Sequence, residues 1–130
     1  MKDYQDIYKT PGAFSWNELS SPDPRAACAF YAQLFCWTFE TAQMPDGDYH
    51  VIRIGATDVG GIMAQQHPGP ALWGAYVTVA SCDATVAQAQ ALGATLCAGP
   101  FDIPRIGRMA VLQDPQGAVI QVISYAPPAS

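Results

Sequence analysis

Apolar positions in this chain fall into short alternating runs, broken twice by a stretch with three- and four-residue spacing. Strand-like runs cover Phe14–Leu19, Trp37–Ala42, Tyr49–Ile54 and Val59–Ala64. A second set covers Trp73–Val79, Thr95–Phe101, Arg108–Gln113 and Ala118–Ser124. Between the first two runs, Ala27, Phe30, Tyr31 and Leu34 recur at helical spacing, so a helix is predicted there with these residues as its buried stripe. Asp23 stands as its N-cap and Pro24 at its first position. Val86, Ala89 and Leu92 mark a second helix that starts near Asp83 and stops at Gly93. The order strand, helix, three strands therefore occurs twice.

Turn chemistry fixes several boundaries. Asp114-Pro115-Gln116-Gly117 joins two strands, with Pro115 presetting one dihedral and Gly117 supplying a positive φ. Met44-Pro45-Asp46-Gly47-Asp48 and Gly55-Ala56-Thr57-Asp58 read as further turns. Gln65–Leu72, with His67-Pro68-Gly69-Pro70, has no periodicity and reads as a linker. Residues 1–12 are polar and read as an N-terminal arm, 13–126 as one domain with modules at about 13–64 and 73–126, and 127–130 as a tail.

A chain of 130 residues, half of them hydrophobic, can bury a core without staples. Six Lys and Arg against eleven Asp and Glu leave a net charge of -5, which argues against nucleic acid and anionic membranes as partners. With no bilayer-spanning run and no leader pattern, a cytoplasmic protein is expected. Cys28, Cys36, Cys82 and Cys97 form no C-x-x-C pair and read as buried small apolar residues. Asp46 and Asp48 read as turn chemistry, since the further ligands of a calcium loop are missing.

The motifs Trp16-x-Glu18-Leu19-x-x-Pro22-Asp23, Phe30-Tyr31-x-x-Leu34-Phe35-x-Trp37, Gly60-Gly61-Ile62, Trp73-x-x-Tyr76-Val77-x-Val79, Ala91-Leu92-Gly93-Ala94 and Gly99-Pro100-Phe101 appear in order, followed by the stretch from Gly107 to Gln121. In this joint order the chain resembles the vicinal oxygen chelate superfamily of glyoxalase I, bleomycin-resistance proteins and extradiol dioxygenases. It is most similar to the small single-domain glyoxalase-related proteins. The resemblance implies an α+β fold of two βαβββ modules, whose curled, half-open mixed sheets surround a cavity. It also implies a homodimer. Metal-dependent members carry ligands on the first and last strand of each module. Here those positions fall on Trp16, near Ile62, on Gly74 and on Gln121, and only Gln121 can donate to a metal. No metal and no cofactor are therefore expected at that place.

The resemblance makes Trp16, Glu18, Ile62, Gly74, Tyr76 and Gln121 candidate ligand-binding residues, with Arg108 a candidate for an anionic group. Gln121 is an amide in an apolar run and needs either a partner or a cavity. Glu18 shares a strand face with Trp16, and burial there would raise its pKa, so Glu18 and His50 are candidate acid–base residues. Two readings follow. One is a metal-free protein that binds a small organic molecule. The other is a glyoxalase-like lyase or isomerase that uses Glu18 and His50 or a displaced metal site. A cavity plugged by Trp16, leaving an interaction protein, is a third.

Overall fold

Asp23 opens the first helix as its chemistry requires: its carboxylate accepts a hydrogen bond from the Ala26 backbone N–H at 3.1 Å, and Pro24 follows in the first turn. The structure is a computed structural model that describes residues 4–45 and 47–126. The strands are β1 (Phe14–Ser21), β2 (Thr38–Met44), β3 (Gly47–Ile54), β4 (Thr57–Ala64), β5 (Leu72–Thr78), β6 (Thr95–Ile103), β7 (Gly107–Gln113) and β8 (Val119–Tyr125). Helix α1 (Pro24–Phe35) follows β1, and α2 (Cys82–Ala91) follows β5. This is the predicted order, strand-helix-three strands, twice over. The N-cap of α2 is Ser81, whose hydroxyl accepts from the Ala84 N–H, and Asp83 sits in the first turn.

The chain divides into two compact units, Asn17–Gly74 and the pair Met1–Trp16 with Ala75–Ser130. In the first unit the strands hydrogen-bond in the order β2-β3-β4-β1, and in the second β5-β8-β7-β6. Each sheet is mixed: β1 runs parallel to β4 and β5 parallel to β8, while the hairpins are antiparallel. Each helix covers one face of its own sheet. Leu19, Ile52, Val59 and Ile62 pack under α1 with Ala27, Cys28 and Tyr31. Cys82 and Val86 of α2 pack on Ala110, Leu112 and Val122.

The Asp114 turn forms as predicted: its carboxylate accepts from the Gln116 and Ala118 N–H groups, and Gly117 takes φ 98°. The arm is more structured than predicted. Tyr4–Lys9 forms a 3-10 helix, and the Thr78 hydroxyl donates to the Ile7 carbonyl at 2.7 Å. Ser15 Oγ lies 2.6 Å from both Thr78 Oγ1 and Tyr125 Oη. Since a carbonyl only accepts, the Thr78 proton serves Ile7, so Ser15 donates to Thr78 and Tyr125 to Ser15.

Three other expectations are corrected. Cys36 and Cys97 are exposed, and only Cys82 is buried. Cys36 caps α1 with φ 60°, a conformation that glycine adopts without strain and that leaves the side chain outside. The stripe of α1 is the second. Phe30 and Leu34 are 58 % and 56 % exposed, because the helix rests on its sheet through the smaller Ala27 and Cys28 instead. Asp46 lies outside the described residues, and Asp48 belongs to β3 rather than to a turn.

Candidate functional site

The sheet face opposite α1 holds the one buried carboxylate among the described residues. Glu18 is adjacent to Leu19 on β1, so when Leu19 enters the α1 cluster Glu18 must point the other way. It is 6 % exposed, and the Tyr49 hydroxyl donates to its Oε2 at 2.7 Å. Tyr49 itself is buried, and its ring lies over Gly61 on β4. A Cβ added at Gly61 would stand 2.2 Å from three atoms of that ring. The glycine is therefore what lets Tyr49 reach Glu18. Sequence reasoning missed Tyr49. The signal was the Gly60-Gly61 pair inside a strand, which leaves a gap for a bulky neighbour on the next strand.

Two candidates in this unit lie on the opposite face. Ile62 is fully buried with Leu19, Ile52 and Val59 beneath α1, so the fourth-strand position sharing Glu18's face is Gly61 and not Ile62. His50 is next to Tyr49 on β3 and pairs with Ile62, so its ring also leaves the Glu18 face. Its Nδ1 lies 2.8 Å from the Thr41 hydroxyl. Glu18 and His50 are thus not an acid–base pair. Gly74 closes the unit on β5, just after Trp73, whose indole N–H donates to Tyr31 Oη at 3.3 Å.

In the other unit the face away from α2 carries Tyr76 and Gln121, which are register partners on parallel strands. Tyr76 is fully buried, and Gln121 is half-buried with its Nε2 donating to the Ala75 carbonyl at 3.2 Å. That bond leaves the amide oxygen as an acceptor, which satisfies the need for a partner only in part. Trp16 is 1 % exposed and meets Tyr125 edge-on, ring centroids 6.2 Å apart. Arg108 belongs to the helix side. It shares the parity of Ala110 and Leu112 and pairs with Asp83 at 3.0 Å and Asp102 at 3.1 Å. Those hydrogen bonds, Asp83 first, raise its pKa above the ordinary value. Two carboxylates already occupy this guanidinium, so it is a clamp between α2 and β6 and not an anion receptor. Arg108→Ala is expected to leave ligand-induced thermal shifts unchanged, and a lost response would return Arg108 to the site.

The residues do not fit a divalent ion. Of Trp16, Ile62, Gly74 and Gln121, only the last carries a donor, and the Gly61 position that replaces Ile62 offers none. Among the described residues no group of three or more His, Cys, Asp or Glu is placed to hold a metal.

The family model described as a glyoxalase-like domain matches residues 17–123. This chain belongs to the glyoxalase-like domain family. With it the chain joins the vicinal oxygen chelate superfamily, and its βαβββ pairs are that fold. The glyoxalase-like chain is 42 % identical over 118 residues to "Putative glyoxylase CFP32" of Mycobacterium bovis, covering 89 % of this chain and 45 % of that protein. It is 31 % identical over 128 residues to the anthracycline biosynthesis protein DauV of a Streptomyces species, covering 86 % and 46 %. The chain thus spans about half the length of these relatives. In structure it is similar to a variant of Streptomyces coelicolor methylmalonyl-CoA epimerase in complex with 2-nitronate-propionyl-CoA. The TM-score there is 0.71 at 14 % identity, over 91 % of this chain and all of the other. The epimerase of Mycobacterium tuberculosis gives 0.68 at 13 %, over 89 % of each chain. At these identities the likeness concerns the fold. No helix among the described residues is long and apolar enough to cross a membrane.

Proposed function

We propose that this glyoxalase-like domain binds a small organic molecule without a divalent ion, and that Glu18 is the group that orients it. The observation that carries this reading is the buried Glu18 carboxylate, held by Tyr49 on the sheet face that α1 leaves free. Keeping a carboxylate in a dry place costs several kcal/mol. A protein needing only a packed sheet is served better by an apolar residue there. In the other unit Gln121 offers an amide on the face that α2 leaves free, with Tyr76 beside it. Trp16 and Tyr76 add aromatic area in that second unit. A fixed polar group on a largely apolar sheet face suits a ligand with an apolar body and one or two hydrogen-bonding groups.

The test is a thermal-shift screen of the purified chain, made metal-free and checked by elemental analysis. It includes methylmalonyl-CoA, because structural neighbours are epimerases of that thioester. Stabilisation by a compound that survives chelator, and that Glu18→Gln reduces at least tenfold in affinity, is the expected result. Binding that chelator abolishes would overturn the metal-free reading.

A second reading rests on the same carboxylate. Glu18 is a buried carboxylate held in place by the Tyr49 hydroxyl, and a carboxylate fixed in this way is the kind of group that takes a proton next to a carbonyl. Turnover of the methylglyoxal–glutathione hemithioacetal, lost in Glu18→Gln, would establish it.

A further inference from the structure

The arm before β1 lies on the sheet face that α2 leaves free. Val122 of β8 packs under α2, so Gln121, Ile123 and Tyr125 point to the other side. Tyr76 and Thr78 of β5 share that side, as the register partners of Gln121 and Ile123. Ile123 is also the partner of Met109, so Thr78, Ile123 and Met109 form one row across three strands. All three are buried, Ile123 and Met109 completely. The arm meets this row at its Thr78 end. Thr78 Oγ1 donates to the Ile7 carbonyl, and the Tyr8 ring meets Tyr125 edge-on at 5.1 Å. Ile7 and Tyr8 are half-buried there, while Asp6, Lys9 and Thr10 are exposed.

We propose that residues 4–10 form a releasable strap over this end of the face, with the Thr78 hydroxyl as its latch. Three features favour release over a fixed wall. First, Tyr4–Lys9 is one short 3-10 helix, a form whose hydrogen bonds are poorly aligned and whose opening is cheap beside that of a sheet. Second, Pro11-Gly12 supplies a pivot. Gly12 stands at φ 92°, and from there on the backbone is fastened to β5, Gly12 N–H donating to the Thr78 carbonyl and Thr78 N–H to the Ala13 carbonyl. Third, the latch opens by rotation of hydroxyls alone. With the strap down, donation runs from Tyr125 to Ser15, from Ser15 to Thr78 and from Thr78 to Ile7. With the strap up, the Thr78 hydroxyl turns to Ser15, 2.6 Å away, Ser15 turns to Tyr125, and the phenol proton turns outward to water. No buried donor is left unpaired, so release avoids the cost of an orphaned hydroxyl.

The strap goes beyond the Glu18 reading: it belongs to the other unit, and its test needs no specific ligand. Hydrogen–deuterium exchange of the full chain, read by mass spectrometry, compares the arm with β7. Thr78→Val keeps the branched shape and removes the latch. One net hydrogen bond is worth about fivefold in an opening equilibrium, so arm exchange should rise by about that factor while β7 stays as in the parent. Tyr8→Ala changes only the half-buried arm and should act in the same direction. Anilinonaphthalene sulfonate, a dye that reports uncovered apolar surface, gives the second readout. Its apparent affinity should rise with the open population, by up to the same factor in each variant. Arm exchange unchanged in both variants would overturn the proposal, and so would a released arm with no gain in dye binding. Equal acceleration of the arm and β7 in both variants would overturn it too, because the arm would then open only with the sheet.

Discussion

Gly61→Ala is expected to lower the unfolding free energy by about 3 kcal/mol and to remove ligand response. The added methyl would stand 2.2 Å from the Tyr49 ring, well inside van der Waals contact. Tyr49 is only 3 % exposed, so its ring has no free space to enter. It must leave its place, and its bond to Glu18 is lost with it. Urea denaturation followed by circular dichroism measures the effect. Tyr49→Phe separates the two parts of the loss, since it keeps the ring and deletes only the hydroxyl, at a cost of about 1–3 kcal/mol. Tyr49→Ala combined with Gly61→Ala should recover part of the glycine effect, because the double variant has no clash. A Gly61→Ala protein within 1 kcal/mol of the parent would show that the ring does not depend on the glycine.

Ile62→Ala is expected to cost about 2–5 kcal/mol with no effect on ligand affinity. Ile62 is fully buried against Leu19, Ile52 and Val59 beneath α1, so truncation leaves a cavity that neighbouring strands cannot close. Equilibrium unfolding, together with the thermal-shift response to the best ligand, decides the matter. A variant that keeps its stability and loses the ligand would place Ile62 back on the Glu18 face. Gly61→Ala and Ile62→Ala together assign the two faces of β4 from neighbouring residues.

Much of this was legible along the chain. Asp23-Pro24 announced a helix start, and Asp114-Pro115-Gln116-Gly117 a hairpin, because cap and turn geometry depend on a few adjacent residues. Glu18 and Gln121 stood out as polar groups in apolar runs. The helix stripe was misjudged because periodicity reports that residues are apolar, not what covers them. Phe30 and Leu34 have core chemistry and surface positions.

Faces were beyond the sequence in another way. On β1, Ser15, Trp16, Glu18 and Leu19 are all buried, so alternation between apolar and polar no longer marks inside from outside. The fourth-strand position was read near Ile62 and falls on Gly61, the sides of His50 and Arg108 could not be read, and Tyr49 was not noticed at all. By itself the chain determined the order of its elements and most of their caps and turns, all of which follow from residue type and local spacing. Only the folded sheets decided which neighbour turns toward Glu18, because a strand's two faces are told apart by what packs on them across the ladder.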